Sequence, residues 1–459
     1  MNISAVGCSL VAVDGRERLL VPPDAGPCPF AGHATAGGIL CDLTPENAAA
    51  VRETWPALAP RPLGLAASFG FGDRIGCATR GHVAALRSTQ SGIAPVFAQQ
   101  SVRELRRTGR SFREVLDAAT WGVVRAGWYR GYGADADHLQ EVDSIREAAA
   151  LGFTTFTLDP SPHVEPGTAA LSQTELADRF RKLPWDRLQD TPDAATDRLR
   201  RGFEHATGSI EAGGTGEAMA AMVKYANAIA ETARLAEAVP PAGEIELSLD
   251  EAPEATSPLE HAIVSSALRR LGVKLTALAP RFPGHFEKGI DYRGSVQELA
   301  AAVEVHAALA EALGPYKLSL HSGSDKLSVY EAFAHASGGR FHVKTAGTSY
   351  LEALRLAART DTELMRLVWT ESRDAFGAAR RTYEMAATLE NAPPVELSDQ
   401  ELPGLLDDDT ARQILHVNFG GVIGAPELRY RLAQVLAQDD GDRYAELLEH
   451  HFAAHLSLL

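Results

Sequence analysis

Cysteine is scarce in this chain: Cys8, Cys28, Cys41 and Cys77 are the only four in 459 residues, and none forms a C-x-x-C pair. A disulfide framework and a structural zinc module are therefore not expected, and reduced thiols fit a cytoplasmic protein better. No apolar run approaches the ~20 residues that a membrane-spanning helix needs. The first residues, MNISAVGCSLVAVDGRE, lack a basic segment and reach Asp14 too early for a signal peptide. Positive charge is also in deficit. The 44 Lys and Arg against 60 Asp and Glu leave a net charge of −16, which repels nucleic acid and anionic membranes. No G-x-S-x-G elbow occurs, so a serine hydrolase is disfavoured. A dinucleotide fold is disfavoured as well. The stretch GFGDRIG (70–76) has the glycines but sets Asp73 where a pyrophosphate would rest.

What is present is an ordinary globular composition, 45% apolar and 23% charged. Eight strand-like segments punctuate it: 63–70, 95–100, 128–135, 153–159, 244–250, 273–280, 316–321 and 340–345. Helical stretches lie between them, and Ser-x-x-Glu capping signatures recur at Ser101, Ser111, Ser144, Ser257, Ser295, Ser328 and Ser349. Alternating β and α elements imply a parallel sheet, and eight units point to an α/β fold, a closed (β/α)8 TIM-type barrel, with an open doubly wound sheet as the alternative. Residues 1–60 read as a β-rich N-terminal addition and 61–359 as the barrel. A mainly helical insertion falls at about 165–240. Residues 360–459 form a helical C-terminal appendage, helical except at QILHVNFG (413–420).

In such a barrel the chemistry sits at the C-terminal ends of the strands. Period-2 alternation puts Glu246, Ser248 and Asp250 on one face of the fifth strand. It does the same for Lys317, Ser319 and His321 on the seventh, His342 and Lys344 on the eighth, and Thr155, Thr157 and Asp159 on the fourth. Converging carboxylates and imidazoles suit a divalent metal, zinc, manganese, cobalt or nickel. Glu246, His321 and His342 are the chosen ligands, with His285 and Glu287 in reserve. Arg74, Arg281, Lys288, Lys326 and Lys344 follow strands and suit an anionic substrate, although Lys326 reads as a surface charge. His306, His335, His450, His451 and His455 read as structural or solvated.

The strings FGFGDRIGCATRGHV (69–83), PVFAQQSVREL (95–105), GADADHL (133–139), TLDPS (157–161), RFPGHFEKGIDY (281–292), YKLSLHSGSDK (316–326) and HVKTAGTSYLEALR (342–355) resemble the tagaturonate epimerase family. The resemblance implies a barrel enzyme that uses a metal to interconvert D-tagaturonate and D-fructuronate at C4. The substrate is then a small keto-uronic acid, and self-association into a homo-oligomer is left open. Within this frame Asp159, Glu287 and Asp137 are candidate bases and Lys344 holds the substrate carboxylate or an oxyanion. Arg74, His82, Gln100, His285, Arg281, Lys288, Ser322, Asp325 and Thr345 are candidate substrate contacts. A proton at C4 is not acidic beside a C2 ketone, so a retro-aldol step is expected. A metal-dependent aldolase or isomerase on the same barrel, and a non-catalytic sugar-acid binding protein, are the competing readings.

Overall fold

The computed structural model describes residues 8–23, 29–205, 208–210, 215–252, 254–383 and 385–459. Cys28 lies outside the described residues. An antiparallel sheet comes first, built from β1 (Ser9–Val13), β2 (Arg16–Val21), β3 (Gly32–Thr35) and β4 (Gly38–Cys41) in the order β1-β2-β4-β3. Then come β5 (Ser68–Phe71), β6 (Ala94–Ser101), β7 (Gly133–Leu139) and β8 (Thr155–Leu158). A short hairpin, β9 (Phe203–His205) and β10 (Gly208–Ile210), interrupts them within a mostly helical segment. β11 (Glu244–Ser248), β12 (Leu275–Ala279), β13 (Lys317–Leu320) and β14 (Phe341–Thr345) follow. The eight parallel strands close in the order β11-β12-β13-β14-β5-β6-β7-β8, the (β/α)8 barrel that the alternating sequence implies.

Alternation along β5 explains the closure. Phe69 and Phe71 point outward into an aromatic layer with His82, Phe97 and Phe452. Ser68, Gly70 and Gly72 are left for the inside. A Cβ on Gly70 would collide with the Gln99 side chain, and one on Gly72 with the Thr345 carbonyl, to which Gly72 donates its own N–H at 2.7 Å. The barrel interior is unusually polar. Lys317 donates to Ser68 Oγ at 3.0 Å, Ser68 Oγ meets His342 Nδ1 at 2.9 Å, and Thr157 donates to Asp135 at 2.9 Å. Such a layer holds together because each group finds a partner.

Three local expectations need correction. The third strand lies at 133–139, not 128–135, because Trp128 turns back to donate to the Gly131 carbonyl at 2.8 Å, with Gly131 at φ +70°. QILHVNFG is helical, split between Asp409–Val417 and Phe419–Gly424. Asp408 caps the first of these by accepting from Ala411 N at 2.8 Å, and its apolar residues are buried in the appendage. Capping boxes form at Ser101, Ser111 and Ser257, and Ser295 caps alone. Ser144 and Ser349 lie inside their helices and Ser328 in a 3-10 turn, whereas an overlooked box forms at Ser172/Glu175.

Candidate active site

Lys344 stands at the centre of the barrel, 4% exposed. Its Nζ lies 2.7 Å from Asp135 Oδ2, 2.7 Å from Asp137 Oδ1 and 2.9 Å from Glu246 Oε1, and donates to Thr157 Oγ1 at 2.7 Å. Burial alone would lower its pKa, but three carboxylates outweigh that and hold it well above the usual lysine range, so the ammonium stays charged. Burial raises Asp135 to about 6 despite the lysine. Asp137 and Glu246 are held well below the carboxylate range, where the nearby lysine and histidines outweigh burial.

Two histidines sit above this cluster. His321 follows β13 and places Nε2 2.6 Å from Glu246 Oε1. Its Nδ1 lies 2.8 Å from Asp250 Oδ1 but has no aligned hydrogen-bond partner, a buried nitrogen left facing a carboxylate. Strict alternation would send His138 outward, opposite Asp137. Instead the β7–β8 pairing shifts register between Ala136 and Leu139, and His138 adopts φ +57°. This local irregularity swings the ring into the mouth, with Nδ1 2.8 Å from Asp137 Oδ1 and its centroid 5.2 Å from that of His321. Burial pushes both imidazoles down. Asp137 more than offsets this for His138, which stands at about 9, and Asp250 does so for His321, at about 10. One ligand atom from each of His138, Asp250 and His321 lies within 4.8 Å of the others.

The cavity over this floor is walled by loops and by the appendage, which contributes Tyr383. Arg103 pairs with Glu251 at 2.7 Å, and Arg74 pairs with Glu104 at 2.6 Å beneath the Phe419 ring. Lys288 donates to Ser322 Oγ at 2.6 Å, and Arg281 donates to the Ala252 carbonyl at 2.9 Å.

A sequence model of the tagaturonate epimerase family, UxaE, matches residues 30–459. The chain belongs to that family. It is 42% identical over 427 residues to the tagaturonate/fructuronate epimerase of Thermotoga maritima, covering 92% of this chain and 86% of that one. Crystal structures of fructuronate-tagaturonate epimerase UxaE from Cohnella laeviribosi, one native and one with a single glycerol, superpose with a TM-score of 0.89. Each is 34% identical over 98% of this chain and 93% of theirs. This protein is thus an enzyme, an isomerase of the epimerase class, on a TIM-type barrel.

The epimerase brings together Glu246, His321, Asp137 and Lys344 among the residues chosen from sequence. His342 lies two residues below Lys344, its Nδ1 engaged by Ser68, and burial pushes it down to about 3. Asp159 is occupied by its own loop, accepting from Gln140 Nε2 at 2.9 Å and Ser161 N at 3.0 Å. Glu287 accepts from Ala386 N at 2.6 Å and Gln413 Nε2 at 2.7 Å, which ties its loop to the appendage. His285 is exposed, its backbone paired with Arg293. His82 packs among the outer aromatics with Nε2 2.9 Å from Ser349 Oγ. Thr345 Oγ1 donates to the Gly70 carbonyl at 2.7 Å.

Gln100 faces the helices, donating to Thr108 and accepting from Arg110, while its neighbour Gln99 lines the cavity. Asp325 accepts from Thr348 Oγ1 at 3.2 Å and pairs with Arg412 at 3.2 Å, and His451 Nε2 lies 3.1 Å from it, which gives that histidine a structural place. Lys326 is no surface charge: it is fully buried, donating to the carbonyls of Glu287 and Ser324, each at 2.8 Å, and of Ile290. Sequence reasoning placed Asp135 on one face with Asp137 in GADADH (133–138) without giving it a role, and passed over His138 and Glu251. The DADH run carried the signal for Asp135 and His138.

Proposed function

We propose that this epimerase interconverts D-tagaturonate and D-fructuronate by inverting C4, with a divalent metal held by His138, Asp250 and His321. The observation that carries the reading is the charge balance at the mouth. Asp135, Asp137, Glu246, Asp250 and Glu251 meet only Lys344 and Arg103 as fixed cations in ion-pair contact among the described residues. Of the three negative charges left, two are offset by protons on the imidazoles of His138 and His321, which a dication would replace. Nitrogen and oxygen donors suit zinc, manganese, cobalt or nickel. When bound, the metal supplies Lewis-acid polarisation of the ketone and stabilisation of negative charge on its oxygen.

The residues of the chain account for the rest. Asp137, at the cavity wall, takes the proton from the C4 hydroxyl. The new C4–O double bond forms as the C3–C4 bond breaks, and that electron pair passes to C3 and onto the C2 oxygen as an enediolate. The aldehyde turns its other face, the C3–C4 bond re-forms, and the proton returns to the C4 oxygen. Lys344, kept charged and held by Asp135, Asp137 and Glu246, fixes these carboxylates in place and acts on the developing negative charge through its field, not through a free N–H. The C4–H bond survives throughout. With substrate deuterated at C4, the label is expected to remain at C4 of the product with no primary isotope effect on kcat. Loss of label to solvent or a large primary effect would count against the route.

A further inference from the structure

We infer that Lys288 is the residue that reads the substrate's carboxylate and so selects a sugar acid over a neutral sugar; this rests on the keto-uronate reading above. The cations around the cavity are largely committed. Arg74 is held by Glu104, Arg103 by Glu251, and Lys344 by three carboxylates, while Arg281, also at the cavity wall, donates to the Ala252 carbonyl. Lys288 lines the same cavity as His138, His321 and Lys344, and no carboxylate lies in ion-pair contact with it among the described residues. Its ammonium donates only to Ser322 Oγ, at 2.6 Å, beside the Tyr383 ring at 5.9 Å. Two N–H donors therefore remain for a ligand anion.

The loop under Lys288 is built to hold it still. Buried Lys326 ties the carbonyls on either side, Glu287 and Ile290. Arg412 Nε donates to the Gly289 carbonyl at 2.7 Å, and Gly289, at φ +75°, makes the turn. The Glu287 carboxylate is anchored to the appendage through Ala386 and Gln413. Fixing the backbone on both sides of the lysine, with its ammonium on Ser322, lowers the ordering cost when an anion arrives. Lys288 lines the cavity together with Asp250 and His321, and Asp137 is the group assigned to the reacting oxygen.

The test compares wild type with Lys288→Gln and Lys288→Arg. Lys288→Gln is expected to raise KM for D-tagaturonate about 100-fold while kcat changes only a few-fold, and Lys288→Arg to recover most of the loss. Competitive inhibition supplies a charge-specific readout: wild type should bind glycerate well above glycerol, and Lys288→Gln should bind the two alike. Unchanged glycerate preference in Lys288→Gln overturns the assignment, even if the variant is less stable. A wild type that converts no keto-uronate would sink the substrate reading instead, and the glycerate comparison would still decide the role of Lys288.

Discussion

Replacing Lys344 by Met is expected to lower kcat by roughly a thousand-fold, the scale on which preorganised charge stabilises developing oxyanions. The same change removes the partner of Asp135, Asp137 and Glu246, all buried. A buried ion pair broken on one side typically costs about 3–5 kcal/mol. The sign with pH follows from Asp135, which already stands at about 6 with the lysine present. Without the lysine it rises further, so the folded state binds a proton that the unfolded state has released. Stability of the variant is then fully retained below about pH 4, the ordinary carboxylate value, and lost progressively as pH rises from there through about 6 and above. Denaturant titrations at several pH values, beside initial rates, check both halves. A variant within tenfold of wild-type activity would mean that Lys344 only holds the barrel together.

Removing His321 by substitution to Ala is expected to abolish metal retention and, with it, turnover. Even partners outside the coordination sphere cost 10–100-fold in affinity, so loss of a direct ligand should exceed about 100-fold. The readout is metal content by elemental analysis after dialysis, with a thermal shift on adding zinc or manganese as a second measure. Wild type should carry one ion per chain and gain melting temperature on loading; His321→Ala should do neither. His342→Ala separates the two ligand choices. Its Nδ1 is already shared with Ser68 and it lies outside the His138–Asp250–His321 group, so its metal content should stay near wild type. Loss of metal in His342→Ala with retention in His321→Ala would reverse the assignment.

Much of the barrel was legible because its strands are short, buried and bounded by turns, and because polar residues at every second position mark the inner faces of β8, β11, β13 and β14. Lys317, Ser319 and His321, and His342 and Lys344, could be placed by counting. Counting failed where the backbone departs from regular pairing. His138 enters the site through a register shift and a left-handed φ, and neither is encoded by period-2 alternation. The same kind of shift, between Val96 and Ala98, decides which of Gln99 and Gln100 faces the cavity. Lys326 defied its chemistry: a lysine reads as exposed unless the three carbonyls that receive it, from two separate loops, are known. Asp159 and Glu287 sit in the right loops, but their carboxylates serve those loops.

The most direct test is a proton NMR time course of D-fructuronate with the purified protein in D2O, run with a divalent metal added and again after chelation. D-Tagaturonate is expected to accumulate with no deuterium bound at C4, chelator to stop it, and a divalent metal to restore it. Deuterium at C4, conversion that persists in the metal-free protein, or no conversion after metal is restored would contradict the metal-assisted retro-aldol route.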